Sequence, residues 1–158
     1  MEVFDGQNVK MLFSKPCLRD LTVGSRIAFL RQFRRMSRSE LGRMIGLSEE
    51  NTNRIMSRYE RAVVQPDGDK IRKIADILKV NVRMLSEYNM DKPEDLFYLM
   101  LWLEELCPNF TFTRTEATAP ENMAQDYLSK HYYKWHDMRK RYRNNEISYE
   151  DYWEWKLK

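Results

Sequence analysis

Residues 37–62 constrain this chain more than any other stretch, because they spell two short helices that must meet at a tight corner. Ser37 stands where a helix N-cap belongs, and Glu40 three residues on completes a capping box. Leu41, Met44 and Ile45 recur at helical spacing and supply one apolar face. Gly42 is small where the second helix must approach closely. Gly46 stops the first helix, since a left-handed backbone costs glycine little. Leu47 plugs the corner. The second helix then offers Asn53, Arg54, Ser57 and Arg58, whose amide, hydroxyl and guanidinium groups suit base edges and phosphates.

Three further helical segments surround this pair. Val23–Arg35 turns Ile27 and Leu30 inward. Pro66–Leu78 has Ile71, Ile74, Ala75 and Leu78 at core spacing, and Asn81–Leu85 opens on Asn81 as its N-cap. Five elements in this order over 23–86 resemble the Cro/repressor-type (Xre-family) DNA-binding domain, a lambda-repressor-like fold whose helix-turn-helix sets its second helix in the DNA major groove. The resemblance implies double-stranded DNA as partner. It makes Asn53 and Arg54 readers of base edges, and Arg58 a contact to base or phosphate one turn later. Arg38 and Ser39 would hold the phosphate backbone, aided by the helix dipole. Arg43 and Arg61 are phosphate contacts, and Thr52 and Ser57 join the same surface. Ile55 either belongs to the core or meets a thymine methyl. Glu60 serves structure, bonding Arg58 or the following turn.

One departure from the family stands out. Its members run about four residues from the Ser after the corner to the apolar anchor of the recognition helix. Here the anchor, Met56, lies eight residues after Ser48. This is about one extra helical turn, or a longer turn between the helices. A subset of Xre-like regulators from Gram-positive bacteria shares the longer form. Either Thr52 caps the recognition helix, or Ser48 does, with Glu49 and Glu50 in its first turn.

Charge follows the same division. Residues 1–90 hold 17 Lys/Arg against 11 Asp/Glu, and residues 91–158 hold 10 against 13. The basic half coincides with the motif, as a phosphate-binding footprint requires. Cys17 and Cys107 stand alone, with no CxxC pair, which fits a reducing cytoplasm. His131 and His136 lie five apart, on different helix faces, and offer no metal pair. The longest apolar run, Leu96–Leu103, is too short to span a membrane, and the N-terminus has no signal-peptide pattern.

Three regions are expected: a leader or arm over 1–21, the DNA-binding domain over 22–88, able to fold alone, and a helical region over 89–158 that dimerises or senses. In the leader, Met11-Leu-Phe13 and Leu18 could pack on the domain, while Lys10, Lys15 and Arg19 could reach along DNA. Residues 87–95 form a hinge, with Pro93 in the first turn of the next helix. Leu96–Leu106 is apolar nearly all round. Leu96, Leu99, Met100, Leu103 and Leu106 form its main face, which is either a subunit contact or the centre of a C-terminal unit. Asn109–Thr115 alternates aromatic and Thr like a strand, the basis for expecting at most one or two short strands in a mostly α chain. Residues 121–144 carry the seam Ala124, Leu128, His131, Trp135, Met138, Tyr142, ended by Asn144-Asn145. Ser148 and Asp151 form a second capping box.

No catalytic constellation is present: no phosphate loop, no GxSxG, no HExxH. No cofactor is expected. Glu104-Glu105 and Glu150-Asp151 read as solvated pairs. Tyr127, Tyr132, Tyr133 and Trp135 line either a core or a small-molecule effector pocket. The expectation is a DNA-binding regulator acting as a homodimer. The alternative is a helix-turn-helix that binds a protein partner, as in an antitoxin, anti-repressor or phage-type inhibitor.

Overall fold

The computed structural model describes residues 15–109 and 123–158, with side chains described from 127 in the second span. Its elements are α1 (Val23–Phe33), α2 (Arg38–Met44), α3 (Thr52–Glu60), α4 (Gly68–Leu78), a 3₁₀ turn (Val82–Leu85), α5 (Pro93–Leu106), α6 (Met123–Arg143) and α7 (Tyr149–Lys156). No strand occurs among the described residues. Of the expected strand, residues 110–115 lie outside them, as do Lys10 and Met11–Phe13 of the leader.

Local chemistry sets the helix starts. Both capping boxes form: Ser37 accepts from the Glu40 amide while Glu40 reaches back, and Ser148 and Asp151 do the same for α7. Thr22 caps α1, Asp67 caps α4 and Asn81 caps the 3₁₀ turn. Asp67 therefore moves the start of α4 to Gly68, two residues after Pro66. Asn145, at φ 58°, ends the α6 turn in the left-handed region.

α1 is the hub. Every residue from Gly24 to Arg31 is buried, so the helix is covered on all sides. Ile27 and Leu30 join Leu41, Met56, Ile74 and Leu78 in the core. Phe29 lies edge-on to Trp102 of α5 at 5.4 Å and beside Trp153 of α7 at 4.6 Å. The 88/89 division is thus no boundary in packing: α5 and α7 supply rings that cover α1. The end of α7 also meets the 3₁₀ turn, where the Asn81 amide donates to the Leu157 carbonyl at 2.8 Å. Arg34 binds Glu154 of α7 and donates to the Leu78 carbonyl that ends α4.

Several expectations change here. Met44 is exposed, so the inner face of α2 is Leu41 and Ile45. On α5 the buried apolar side chains are Phe97, Tyr98, Leu101 and Trp102, while Leu96, Leu99, Met100, Leu103 and Leu106 are only half-buried. The α6 seam holds from Leu128 through His131, Trp135, Met138 and Tyr142, with Trp135 fully buried; the side chain of Ala124 lies outside the described residues. Tyr133 is exposed.

Glu104 and Glu105 are not solvated. Glu104 pairs with Lys156 at 2.8 Å and Arg139 at 2.8 Å, and accepts from Tyr152 at 2.7 Å and Trp135 at 3.1 Å. Glu105 accepts from Tyr149 and Trp153. Burial pushes the Glu104 carboxyl up, but Lys156 and the bonds from Tyr152 and Trp135 outweigh it and hold it below the usual carboxylate range. Burial likewise draws the Lys156 ammonium down, against the pull of Glu104. Burial pushes the Tyr149 and Tyr152 hydroxyls upward, each further raised by its glutamate.

Candidate nucleic-acid interface

α3 begins at Thr52 after a turn over Ser48–Asn51, closed by the Asn51 amide donating to the Ser48 carbonyl at 3.0 Å. Asn51 holds the cap position with no side-chain bond to the helix amides, so neither Ser48 nor Thr52 caps the helix. The extra residues lengthen the turn and leave α3 a short helix. Thr52 is buried, and its hydroxyl donates back to the Glu49 carbonyl at 3.1 Å. A Cβ on Gly42 would lie 3.0 Å from Thr52 Cβ and 3.2 Å from Met56 Cγ. The close approach of α2 and α3 therefore rests on Gly42, as its size suggests, and Thr52 is part of that contact. Its side chain is withdrawn from the outer surface, contrary to the expectation that it lies there.

Helical periodicity splits α3 cleanly. Thr52, Met56, Tyr59 and Glu60 are buried. Asn53, Arg54 and Arg58 are exposed and Ser57 is half-buried, at positions i, i+1, i+4 and i+5 of one outward face. Arg61 follows on that face, exposed, with its Nε donating to the Ser57 carbonyl at 3.3 Å. Ile55 is half-buried at the edge of the core. Among the described residues Arg54 and Arg58 have no acidic partner, so both guanidiniums are available to an anion. Ser39 is half-buried in the first turn of α2, whose amides point outward there. Arg43 is exposed and lies 3.9 Å from the Glu49 carboxylate, an exposed pair that contributes little.

Behind this face sits Glu60, 1% exposed. Its carboxylate accepts from Arg31 at 2.5 and 3.2 Å and from Arg38 at 2.7 Å. Arg31 also donates to the Met36 carbonyl at 2.6 Å. Arg19, ahead of α1, donates to the Glu60 carbonyl at 2.7 Å. One carboxylate thus ties the end of α3 to α1 and to the first turn of α2. Glu60 is structural, but its partners are Arg31 and Arg38 and not Arg58 or the following turn. Arg38 is half committed: its Nε holds Glu60 while its side chain stays 41% exposed.

Gly24 is a further residue on which this arrangement depends. A Cβ there would fall 2.1 Å from the Tyr59 carbonyl oxygen, so α1 and α3 cross at backbone contact. Its only signal is a glycine inside an otherwise helical pattern, which often marks close packing. Among the described residues no group of three or more His, Cys, Asp and Glu side chains is placed to hold a metal ion, and no helix is long and apolar enough to cross a membrane. No family model, curated protein or solved structure matches the chain.

Proposed function

We propose that the protein is a sequence-specific regulator that binds double-stranded DNA in the manner of Cro/repressor-type (Xre-family) proteins, with α3 as the recognition helix in the major groove. The observation that carries this is the outward face of α3. Asn53, Arg54, Ser57 and Arg58 stand together without acidic partners, on a helix locked from behind by Glu60. Asn pairs with adenine and Arg with guanine in the groove, and neither needs the helix to move. Arg38, Ser39, Arg43 and Arg61 flank the face and serve as phosphate contacts.

Two copies on an inverted repeat would set their α3 helices about 34 Å apart. The case for a dimer through α5 is weaker than its apolarity suggests, because its own chain covers Phe97, Tyr98, Leu101 and Trp102. Light scattering with and without a selected duplex measures the stoichiometry: two chains per duplex support the dimer, and one chain removes it.

A second reading is a helix-turn-helix that docks a protein. The exposed Glu49-Glu50 pair at the turn into α3 favours it, since acids there repel phosphate. Gel shift with duplexes selected from a random pool separates the two. Retention of specific duplexes supports DNA; failure to retain any duplex at low salt supports the protein partner.

A further inference from the structure

We infer that α6 carries a second, sequence-independent surface for a nucleic-acid backbone, separate from α3. The negative charge of residues 91–158 hides it. Three of the acids behind that sum face inward: Asp95 binds Arg83, and Glu104 and Glu105 lie in the buried network under α7. Arg139 of α6 joins that network, and the other cations of α6 face outward. Lys130, Lys134, Lys140, Arg141 and Arg143 are all exposed, and Asp137 is the one acid between positions 127 and 143.

On the other helices Arg54, Arg58 and Lys73 hold no carboxylate among the described residues, but the paired cations are more numerous. Lys70, Arg72, Arg83 and Arg34 each hold a carboxylate, and Arg31 and Arg38 share one. On α6, Lys130, Lys134, Lys140 and Arg143 hold none among the described residues. Asp137 is three or four residues from Lys134, Lys140 and Arg141, where helical pairs form readily, yet it pairs with none of them. Among the described residues Arg141 has one carboxylate partner, Glu146 at 3.8 Å, and donates to the Met138 sulfur at 3.6 Å. The helix dipole accounts for cations in the last turn but not for Lys130 and Lys134 three turns earlier.

At 100° per residue Lys130, Lys134 and Arg141 share one narrow face about 16 Å long, with Lys140 to its side and Arg143 across the helix from Lys134. Duplex DNA places a phosphate about every 3.4 Å along each strand, so this face spans roughly five phosphates of one strand. Tyr133, 62% exposed between Lys130 and Lys134, adds an aromatic edge beside the charges. Five exposed cations against one acid suit the uniform charge of a phosphate backbone better than the mixed charges of a protein surface.

The test uses the full chain with Lys130→Gln, Lys134→Gln, Lys140→Gln and Arg143→Gln combined. All four side chains are exposed, so folding is checked by circular dichroism, and the milder pair Lys130→Gln with Lys134→Gln serves as a second variant. Affinity for a mixed-sequence 40-base-pair duplex is measured against salt, beside the double variant Arg54→Ala with Arg58→Ala. The expected result is at least about a tenfold loss for the fourfold variant and a salt slope reduced by about two or more, near 0.9 for each phosphate released. The Arg54/Arg58 variant keeps that non-specific component even if α3 proves not to read bases. An unchanged affinity and slope in both Lys variants overturns the inference. So does binding of sodium polyglutamate that the fourfold change abolishes while the DNA isotherm stays the same, which assigns the face to an acidic protein.

Discussion

Glu60 concentrates more of the fold in one side chain than any other residue near the candidate interface. It is buried, and Arg31 and Arg38 both close on it. Glu60→Gln keeps the shape but leaves the buried Arg31 guanidinium without its counter-charge, and breaking such a pair costs about 3–5 kcal/mol. Urea unfolding measures this; a loss under about 1 kcal/mol means the pair is held loosely. The arginines then separate by role. Arg54→Ala and Arg58→Ala are expected to lose about 1–3 kcal/mol of discrimination between selected and scrambled duplexes. Arg38→Ala should weaken both duplexes alike, because a phosphate contact carries no sequence information. Equal losses in all three variants would remove α3 as the reader of bases. That Glu60 is structural was legible from its place after Arg58-Tyr59. Its partner was not, because Arg31 lies 29 residues away and nothing local names it.

At the scale of elements, what was legible is what is local. Ser37 with Glu40, Asn81, and Ser148 with Asp151 each act within three residues, and all of them form. Ser148→Ala should therefore cost about 1 kcal/mol, read as a lowered melting temperature; no change would mean that packing alone holds α7. The face of α5 was not legible, because a helix apolar on every side carries no phase to say which side is covered. The Glu104-Glu105 pair misleads for a related reason: adjacent acids look solvated until Lys156, some fifty residues on, closes over them. The sequence offers two caps for the start of α3, and the helix uses neither, since Thr52 is needed against Gly42. Gly24→Ala drives a methyl toward the Tyr59 carbonyl and should destabilise the chain by about 1–3 kcal/mol. Gly68→Ala, where the nearest atom is an Arg72 nitrogen at 3.8 Å, is the control expected to be tolerated.

Across the whole molecule, Phe29, Trp102 and Trp153 join the two halves in one core. A fragment ending at Glu87 loses both tryptophans and should melt without a cooperative transition. A sharp melt from that fragment would restore an independent domain. The largely enclosed Glu104 adds a pH signature. Its carboxyl is held below the unfolded value of about 4.3, so its stabilisation is present above that pH and is lost as pH falls through the folded value. Urea midpoints should decline below about pH 4, and Glu104→Gln should flatten that decline; the same decline in the variant would place its origin elsewhere. The most direct measurement of function is selection of bound duplexes from a random pool by the full chain, followed by affinity for the enriched site and a scrambled one in the intact protein and in Arg54→Ala with Arg58→Ala. The expected result is one enriched motif, bound about a thousandfold or more tighter than the scrambled duplex, with that ratio collapsing in the double variant. A pool that stays random after repeated rounds, or a ratio the variant leaves intact, would contradict recognition of DNA by α3.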